Sequence, residues 1–289
     1  MIKIKIMGGL GNQLFQYATA RALSEKLNTS VVLDVSEFNS YDVHPLRLNE
    51  FNCKGIFSSK KQLLRSLLER NVIKKHVSKL KVFNKYYFER NLEFNEDVLN
   101  VENGSSLIGY FQTEKYFEVI RTQLLEELTL KNSLNNIETK VSHKINNTNS
   151  ISIHIRRGDY ISNQYANSIH GTCDSAYFSR AIAYMSENNI LDDSSEFFVF
   201  SDDIEWCRNN LELGYKLNFV TGSAERPEVD MILMSQCKHQ IISNSTFSWW
   251  GAWLNKNESK VIITPKKWFE NDNMAKESGD IIPHLWVKL

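Results

Sequence analysis

The sequence lacks most of the features that mark secreted, membrane-spanning and zinc-binding proteins. It has only 4 cysteines and no CxxC pair, so neither a disulfide scaffold nor a zinc ribbon is expected. Its 4 prolines and 12 glycines exclude collagen and low-complexity disorder. No apolar run approaches the roughly 18 residues of a membrane-spanning helix. The first residues alternate like a strand and lack a signal-peptide core, so we predict a cytoplasmic location.

Two further absences limit the function. Lys and Arg number 34 and Asp and Glu number 34, so no net charge is present that would attract nucleic acid. The chain contains no D-x-D pair of aspartates, no HExxH and no GxSxG. The sequence therefore predicts neither a bound metal ion nor the site of a zinc protease or serine hydrolase.

Residues 54–90 differ in composition from the rest of the chain. They contain eleven Lys or Arg and only two acidic residues, Glu69 and Glu89, a local charge of +9. Apolar residues between the charges form a stripe compatible with an amphipathic helix. One interpretation is a packed helix with a solvated basic face. The other is a helix that contacts anionic lipid headgroups or an acidic acceptor.

The order of strands and helices indicates an α/β protein. The chain opens with a strand, a glycine-rich turn, a helix and a second strand. The Asn-rich segment 130–150 is the predicted linker between two domains, residues 1–140 and 150–289. Strands then alternate with helices, which implies a parallel sheet wound by right-handed crossovers. We predict strands at 150–155, 196–201, 217–221, 240–243 and 260–264, and helices at 174–190, 203–211, 225–237 and 245–255.

Polar side chains follow the predicted strands of the second domain, at the end where open parallel sheets bind ligands. His154 and Arg156 lie on the same side of their strand, because side chains alternate. Arg156 carries a planar fork of donors that suits a pyrophosphate. Arg157 either assists it or pairs with Asp159 and braces the loop. A plain ion-pair network is the competing interpretation.

Two later strand ends add candidate ligand groups. Ser201 and Asp202 follow a hydrophobic strand, and the two oxygens of Asp202 match the N1–H and amino donors of guanine; the alternative is a helix N-cap. Ser245 is predicted to cap the helix at 245–255. The free N–H groups and positive dipole end of that helix, with the hydroxyl of Thr246, favour a phosphate.

The segment Gly8-Gly9-Leu10-Gly11-Asn12-Gln13 forms a glycine-rich turn near the N-terminus. It is neither a dinucleotide-binding fingerprint nor a Walker A motif. Glycine allows a phosphate or sugar to approach the backbone closely, but an ordinary tight turn has the same composition.

Three segments together resemble glycosyltransferase family 11, the α-1,2-fucosyltransferases that use GDP-fucose. They are residues 8–18 (GGLGNQLFQYA), 154–160 (HIRRGDY) and 245–254 (STFSWWGAWL). The first pattern with the tryptophan run favours this family over the α-1,6- and protein O-fucosyltransferases, which share the H-x-R-R-x-D segment. The resemblance covers nearly the whole chain, although residues 54–90 carry no matching motif.

The resemblance implies a GT-B-like architecture, in which two Rossmann-like domains face a central cleft. The N-terminal domain would form the acceptor side, with residues 54–90 as a basic helical insertion. The C-terminal domain would bind the GDP-sugar. The implied donor-binding residues are His154, Arg156, Arg157, Ser201, Asp202, Ser245, Thr246 and Phe247, with Asp202 and the His154 main chain at guanine and Arg156 at the β-phosphate. Gly11, Asn12 and Gln13 would face the sugar side.

The implied reaction is an inverting transfer of L-fucose from GDP-β-L-fucose to the 2-hydroxyl of a terminal galactose. GDP-fucose is then a co-substrate, and neither a cofactor nor a metal is expected. Arg156 would stabilise the departing GDP, and Asp159 or a GDP oxygen would accept the proton. The expected acceptor is a galactose-terminated oligosaccharide or lipid-linked glycan. The enzyme would reach it at the inner face of a bacterial cytoplasmic membrane, and residues 54–90 would contact the anionic lipids of that membrane. Alternatives are transfer with another linkage (α-1,6 or O-fucosyl) and a noncatalytic nucleotide-sugar or glycan-binding protein.

Overall fold

The computed structural model shows an α/β protein with two compact units, Met1–Thr129 and Leu130–Leu289. Each unit is built on its own sheet, and every strand pairing in both sheets is parallel. The structure describes residues 1–40, 43–59, 85–158, 164–222 and 225–289.

The first unit has five described strands: β1 (Ile2–Lys5), β2 (Val31–Asp34), β3 (Ile56–Ser58), β4 (Tyr86–Phe88) and β5 (Ser106–Ile108). They form a sheet in the order β3-β2-β1-β5-β4. Ile2 and Ile4 alternate with half-buried lysines along β1 and are buried, as the sequence pattern predicts.

Helix α1 (Leu10–Lys26) follows the glycine-rich turn and is buried along most of its length. Arg21 on α1 forms an ion pair of 3.0 Å with the buried Glu127, the last residue of the short helix α2 (Arg121–Glu127). The hydroxyl of Tyr17, also on α1, donates a hydrogen bond to the same carboxylate. The two ends of the unit are thereby joined through one buried charge, whose partners compensate its desolvation.

The second unit has six described strands: β6 (Asn149–Ile155), β7 (Ser195–Ser201), β8 (Lys216–Phe219), β9 (His239–Ile241), β10 (Ile262–Thr264) and β11 (Val287–Lys288). They form a sheet in the order β11-β10-β9-β6-β7-β8. Phe197 and Val199 of β7 pack on one face and Phe198 and Phe200 on the other, so this strand is buried on both faces.

The helices of the second unit follow the predicted pattern, and each of the four predicted helices is present. The described helices of this unit are α3 (Asn136–Asn146), α4 (Gln164–His170), α5 (Ser175–Glu187), α6 (Ile204–Asn210), α7 (Pro227–Gln236), α8 (Thr246–Trp253) and α9 (Asp272–Glu277). Helix α5 buries Tyr177, Phe178, Ala181 and Met185 at helical spacing, and Asp174 caps it by accepting the Tyr177 N–H at 2.7 Å.

Segment 130–150, expected to be a linker, contains a helix that packs in the second unit. Asn135 and Glu138 form a capping box at the start of α3. Ile145 is fully buried against a core that includes Phe198 of β7. The asparagines that suggested a linker are mostly exposed on α3 or lie at its ends, so composition hid the apolar contacts of the helix.

The basic segment 54–90 is described only at its two ends. These ends form the edge strands β3 and β4 of the first sheet, rather than part of a helix. The predicted helical insertion otherwise falls on residues 60–84, outside the described residues. Among the helices that are described, none has the length and apolar composition needed to cross a membrane.

Candidate functional site

A cavity of about 440 Å³ lies within the second unit, at the carboxyl ends of β6, β7 and β8. It is the position at which open parallel sheets bind their ligands. Five of the residues predicted for the donor site line it: His154, Arg156, Ser201, Asp202 and Phe247. Its other lining residues are Phe200, Ile204, Val220, Thr221, Gly222, Pro227 and Asp230.

His154 is the second-last residue of β6, which is buried throughout, and it contributes an uncharged ring. The ring is 4% exposed, its Nδ1 lies 2.9 Å from the Ser243 hydroxyl, and it packs against Phe247 with ring centroids 5.4 Å apart. Burial, with a smaller contribution from the Arg156 charge, lowers the pKa of His154 to about 3. His154 is therefore neutral near pH 7 and adds shape and hydrogen bonding rather than charge.

Arg156 and Asp202 form an ion pair at the rim of the cavity. Arg156 Nη1 lies 3.0 Å from Asp202 Oδ2, and the backbone N–H of Arg157 donates to Asp202 Oδ1 at 2.9 Å. A Cβ on Gly158 would lie 2.5 Å from Asp202 Oδ2, so glycine leaves room for this carboxylate. Asp202 thus anchors the chain that follows β6 and orients the guanidinium of Arg156.

Arg157 has a bracing position, and it does not line the cavity. Its guanidinium stacks 3.6 Å from the ring centroid of Trp206 and pairs with Asp203 at 3.3 Å. Asp203, rather than Asp202, is the N-cap of α6, accepting the Trp206 N–H. The N-cap alternative for Asp202 is therefore wrong by one residue. Arg157 pairs with Asp203, while the considered pairing of Arg157 with Asp159 falls outside the described residues.

Ser245 caps α8, as predicted, by accepting the N–H of Phe247 at 3.3 Å. The tryptophans of α8 are buried, and Trp249 donates from Nε1 to the carbonyl of Ile281 at 2.7 Å. Thr246 is half-buried at the first turn. Neither Ser245 nor Thr246 lines the cavity, whereas Phe247 does. The N-terminus of α8 is therefore beside the cavity, with Phe247 forming part of its wall.

Asp230, in the first turn of α7, is a lining residue that the sequence interpretation missed. Burial, together with the nearby carboxylates of Glu138 and Glu228, raises the pKa of Asp230 to about 7. Its carboxylate lies against the backbone of Gly222, where a Cβ would be only 2.2 Å from Asp230 Oδ2. The proline at N1 of α7 and the acidic first turn are helix-start signals, which concealed Asp230 as a cavity residue.

The glycine-rich turn of the first unit is built differently from the expectation. Gln13 is fully buried: its Nε2 donates to the carbonyls of Gly8 and Pro45, and its Oε1 accepts the N–H groups of Arg47 and Leu48. Gln13 is thus a structural residue that ties the turn to the loop before Phe51. Gly11 is also buried, whereas Asn12 is partly exposed. Only Asn12 of the three predicted sugar-side residues presents a side chain at the surface.

Two predictions about the reaction remain: the identity of the base and a reaction without a metal ion. Asp159, the predicted base, falls outside the described residues. Across the ranges that the structure describes, no cluster of three His, Cys, Asp or Glu side chains has a metal-binding arrangement.

The two parallel sheets, one in each unit, define a fold of the GT-B-like class, and comparison with a solved structure supports this fold. A mutant of Arabidopsis thaliana FUT1, solved in complex with GDP, superposes with a TM-score of 0.55 over 99% of this chain and 75% of that one, at 11% identity. The predicted α/β, GT-B-like fold class is confirmed. The chain belongs to glycosyltransferase family 11, whose model matches residues 1–289.

Several proteins of known activity are similar in sequence. An alpha-1,2-colitosyltransferase of Escherichia coli is 37% identical over 100% of this chain and 99% of its own length. The O-antigen biosynthesis glycosyltransferase WbnK, also of Escherichia coli, is 36% identical over 98% of this chain and 99% of its own length. A galactoside 2-alpha-L-fucosyltransferase of Bos taurus is 27% identical, covering 51% of this chain and 41% of that protein.

The raised pKa of Asp230 predicts a measurable pH dependence of stability. Between the ordinary value of roughly 4 and about 7, the folded protein binds more protons at Asp230 than the unfolded chain does, so this group makes the free energy of unfolding fall as pH rises. Asp230→Asn removes that contribution. In urea unfolding, the free energy of unfolding of the wild type relative to Asp230→Asn should therefore fall from about pH 5 to about pH 7.5. The opposite contribution of His154, whose pKa is lowered, is common to both proteins and cancels in this difference.

A matched control is Asp272→Asn, at an exposed position in the first turn of α9. This variant should keep the pH dependence of the wild type. An identical pH dependence in the wild type and Asp230→Asn would show that Asp230 titrates normally in the folded protein.

Proposed function

We propose that this family 11 glycosyltransferase moves L-fucose from GDP-β-L-fucose to the 2-hydroxyl of a terminal galactose, with inversion at the anomeric carbon. The observation that carries the proposal is Arg156, held by Asp202 at a strand-end cavity beside the N-terminus of α8. Its guanidinium and the helix end are two groups suited to a diphosphate. The alpha-1,2 and galactoside specificities of the similar proteins support the linkage.

The proposed step is a single displacement. The galactose 2-oxygen forms a bond to C1 of fucose while the bond from C1 to the β-phosphate oxygen breaks. GDP leaves with the bonding electron pair, and the hydroxyl proton goes to Asp159 or to a phosphate oxygen of GDP. Because negative charge grows on the departing phosphate, Arg156 stabilises the transition state more than the bound substrate. In this proposal, the arginine and helix end replace a divalent ion.

Arg156→Ala should lower kcat by roughly a hundredfold or more, because the variant loses a charged donor at the leaving group. Arg156→Lys should recover only part of the rate, since lysine keeps the charge and loses the planar fork. Turnover with GDP-fucose and a β-galactoside, measured in excess EDTA, tests both the arginine and the proposed independence from metal.

Arg208→Ala is the matched control, because Arg208 lies on α6, stacks on Phe219 and does not line the cavity. It should leave turnover close to that of the wild type. Normal turnover by Arg156→Ala would remove the arginine from the mechanism. Loss of wild-type turnover in EDTA, restored by a divalent ion, would contradict the metal-independent reaction.

Guanine recognition has two candidate carboxylates, Asp202 and Asp230, and the geometry supports Asp230. Asp202 is bonded to the guanidinium that we assign to the β-phosphate. The ribose and α-phosphate separate that phosphate from guanine, so a carboxylate beside Arg156 lies at the wrong end of the nucleotide. Asp230 lies on α7 at another part of the cavity wall. We therefore propose that Asp230 accepts the guanine donors and that Asp202 orients Arg156.

Comparing GDP with inosine diphosphate, which lacks the amino group of guanine, tests this assignment. The wild type should bind GDP more tightly, because the reading carboxylate loses one hydrogen bond to hypoxanthine. In Asp230→Asn the ratio of the two dissociation constants should approach one. In Asp202→Asn both nucleotides should weaken together, with the ratio preserved. Calorimetric titration distinguishes the variants, and the reverse pattern would assign guanine to Asp202.

The second candidate donor is GDP-colitose, favoured by the 37% identical alpha-1,2-colitosyltransferase. Colitose is the 3-deoxy analogue of L-fucose, so the products differ by one oxygen atom. With both donors present in equal amounts, we expect the fucosylated product to predominate by roughly tenfold, which corresponds to the net loss of one hydrogen bond to the sugar hydroxyl. Mass spectrometry of the product gives the ratio. A predominantly colitosylated product would make colitose the natural donor and leave the leaving-group chemistry unchanged.

The acceptor in this proposal is a galactose-terminated glycan of O-antigen type, as the name of the 36% identical WbnK suggests. A lipid-linked form of such a glycan would be reached at the inner face of the cytoplasmic membrane. Contact of segment 54–90 with anionic lipid remains a prediction from its charge of +9.

A further inference from the structure

The contact between His154 and Ser243 bears on which ring nitrogen of His154 carries the proton. Ser243 lies two residues after β9 and is 1% exposed, and its Oγ is 2.9 Å from His154 Nδ1. A neutral imidazole donates a hydrogen bond at one nitrogen and accepts at the other. Two arrangements therefore have to be compared: the Ser243 hydroxyl donates to Nδ1, or it accepts a hydrogen bond from Nδ1–H.

The surroundings of Ser243 favour the first arrangement. Among the described residues, the His154 ring is the one hydrogen-bond partner of the Ser243 hydroxyl. If Nδ1 carried the proton, the hydroxyl proton of Ser243 would be buried without an acceptor, which is unfavourable. If the hydroxyl donates to Nδ1, both groups are satisfied and the ring proton lies on Nε2. Burial of Ser243 thus selects the Nε2–H tautomer of His154.

Both partners of this hydrogen bond are held in place by the start of α8. The carbonyl of Ser243 accepts the Ser245 N–H at 2.8 Å and the Ser248 hydroxyl at 3.3 Å. The His154 ring packs against Phe247. The tautomer and the orientation of the ring are therefore fixed by the fold before any ligand binds.

The second ring nitrogen, Nε2, is accessible. No described residue forms a hydrogen bond with Nε2, and this nitrogen is not one of the fully buried polar atoms that lack a partner. It belongs to a residue that lines the strand-end cavity, whereas Ser243 does not line it. An N–H group on Nε2 is consequently available to a ligand in this cavity.

We infer that Ser243 is a positioning residue that sets His154 as a neutral donor, and that His154 Nε2–H donates a hydrogen bond to an oxygen atom of the nucleotide. The inference rests on the proposed function for the identity of the nucleotide. His154 precedes Arg156 by two residues on the same side of the strand, so this donor lies near the group that we assign to the β-phosphate. The opposite tautomer would turn the lone pair of Nε2 toward the nucleotide oxygens and repel them.

Nitrogen-15 NMR of the full chain, labelled on histidine and without nucleotide, tests the tautomer. The ring is neutral near pH 7, because burial lowers the pKa of His154 to about 3. The wild type should carry the ring proton on Nε2, with the His154 signals assigned by their loss in His154→Gln. Ser243→Ala should give a mixture of both tautomers, because Nδ1 loses its donor. A proton on Nδ1 in the wild type, or an unchanged tautomer in Ser243→Ala, would overturn the inference.

Ser152→Ala is the matched control for this measurement. Ser152 is fully buried on the same strand as His154, and its hydroxyl has no hydrogen-bond partner among the described residues. The variant removes a buried serine hydroxyl without touching the His154 ring. It should keep the wild-type tautomer.

Calorimetric titration with GDP tests the hydrogen bond to the nucleotide. His154→Phe should bind GDP roughly tenfold more weakly, which corresponds to the net loss of one hydrogen bond. His154→Gln should stay within about twofold of the wild type, because its side-chain amide supplies an N–H donor. Ser243→Ala should fall between these two variants. A purely structural ring predicts the reverse order, since Phe keeps the packing against Phe247, and that order would overturn the inference.

Titration with guanosine, which lacks both phosphates, identifies the accepting oxygen. If His154→Phe weakens the binding of GDP and leaves that of guanosine unchanged, the acceptor is a phosphate oxygen. If it weakens both equally, the acceptor is a ribose oxygen. Normal binding of both by His154→Phe would exclude the proposed hydrogen bond. If the wild type binds GDP but transfers no sugar, the proposed function fails, and these titrations still decide on His154 and Ser243.

Discussion

Seven consecutive residue pairs join β6 to β7 in parallel, from Asn149 opposite Ser195 to Ile155 opposite Ser201. This register ends both strands at one level, which makes Arg156 and Asp202 neighbours and opens the cavity between their strand ends. A slip of one residue would move every side chain of β7 to the opposite face. Because both faces of β7 are buried and apolar, close packing opposes such a slip, which would exchange the cores that Phe197 and Phe198 fill. The candidate donor site therefore depends on core packing below it.

Among the described residues that line the cavity, Arg156 supplies the positive charge, through its guanidinium. His154 is neutral because it is buried, and Arg157 is occupied by Trp206 and Asp203. A diphosphate that enters the cavity has to share Arg156 with Asp202, whose second oxygen is already held by the Arg157 N–H. An arginine held in this way loses less side-chain freedom when it binds a phosphate. The carboxylate of Asp202 thus weakens the attraction between Arg156 and a diphosphate, but it also orients the Arg156 guanidinium.

The sequence predicts the second unit well because strands alternate regularly with helices there. All five predicted strands and four predicted helices are present, although β9 and β10 have only three residues each. Strands β3, β4 and β5 are equally short, and β3 and β4 lie at the ends of the basic segment, where composition drew attention away from strands. The linker prediction failed on composition, because asparagine is as suited to the ends and outer face of α3 as to a loop.

The site residues that directly follow a strand were predicted from the sequence. The residue that reaches the cavity from a helix was not. Arg156 and Asp202 follow strands directly, and both line the cavity. Asp230 reaches the same cavity from the first turn of α7, where an acidic residue is the usual companion of the helix dipole. Gln13 was predicted as a ligand group because glutamine is polar. Its side-chain amide instead makes its hydrogen bonds to backbone groups inside the fold. Polarity alone does not separate these cases; the position of the partner groups does.

Donor choice within this family can be separated from leaving-group chemistry on physical grounds. In the proposed mechanism, Arg156 and the N-terminus of α8 act on the diphosphate rather than on the sugar hydroxyls. A site rejects a deoxy sugar strongly only when a buried polar group would be left without its hydroxyl partner. Under this mechanism, an exchange of fucose for colitose would need changes near the sugar 3-position and none at Arg156. An identity of 37% to an alpha-1,2-colitosyltransferase is consequently compatible with either donor on the same leaving-group chemistry.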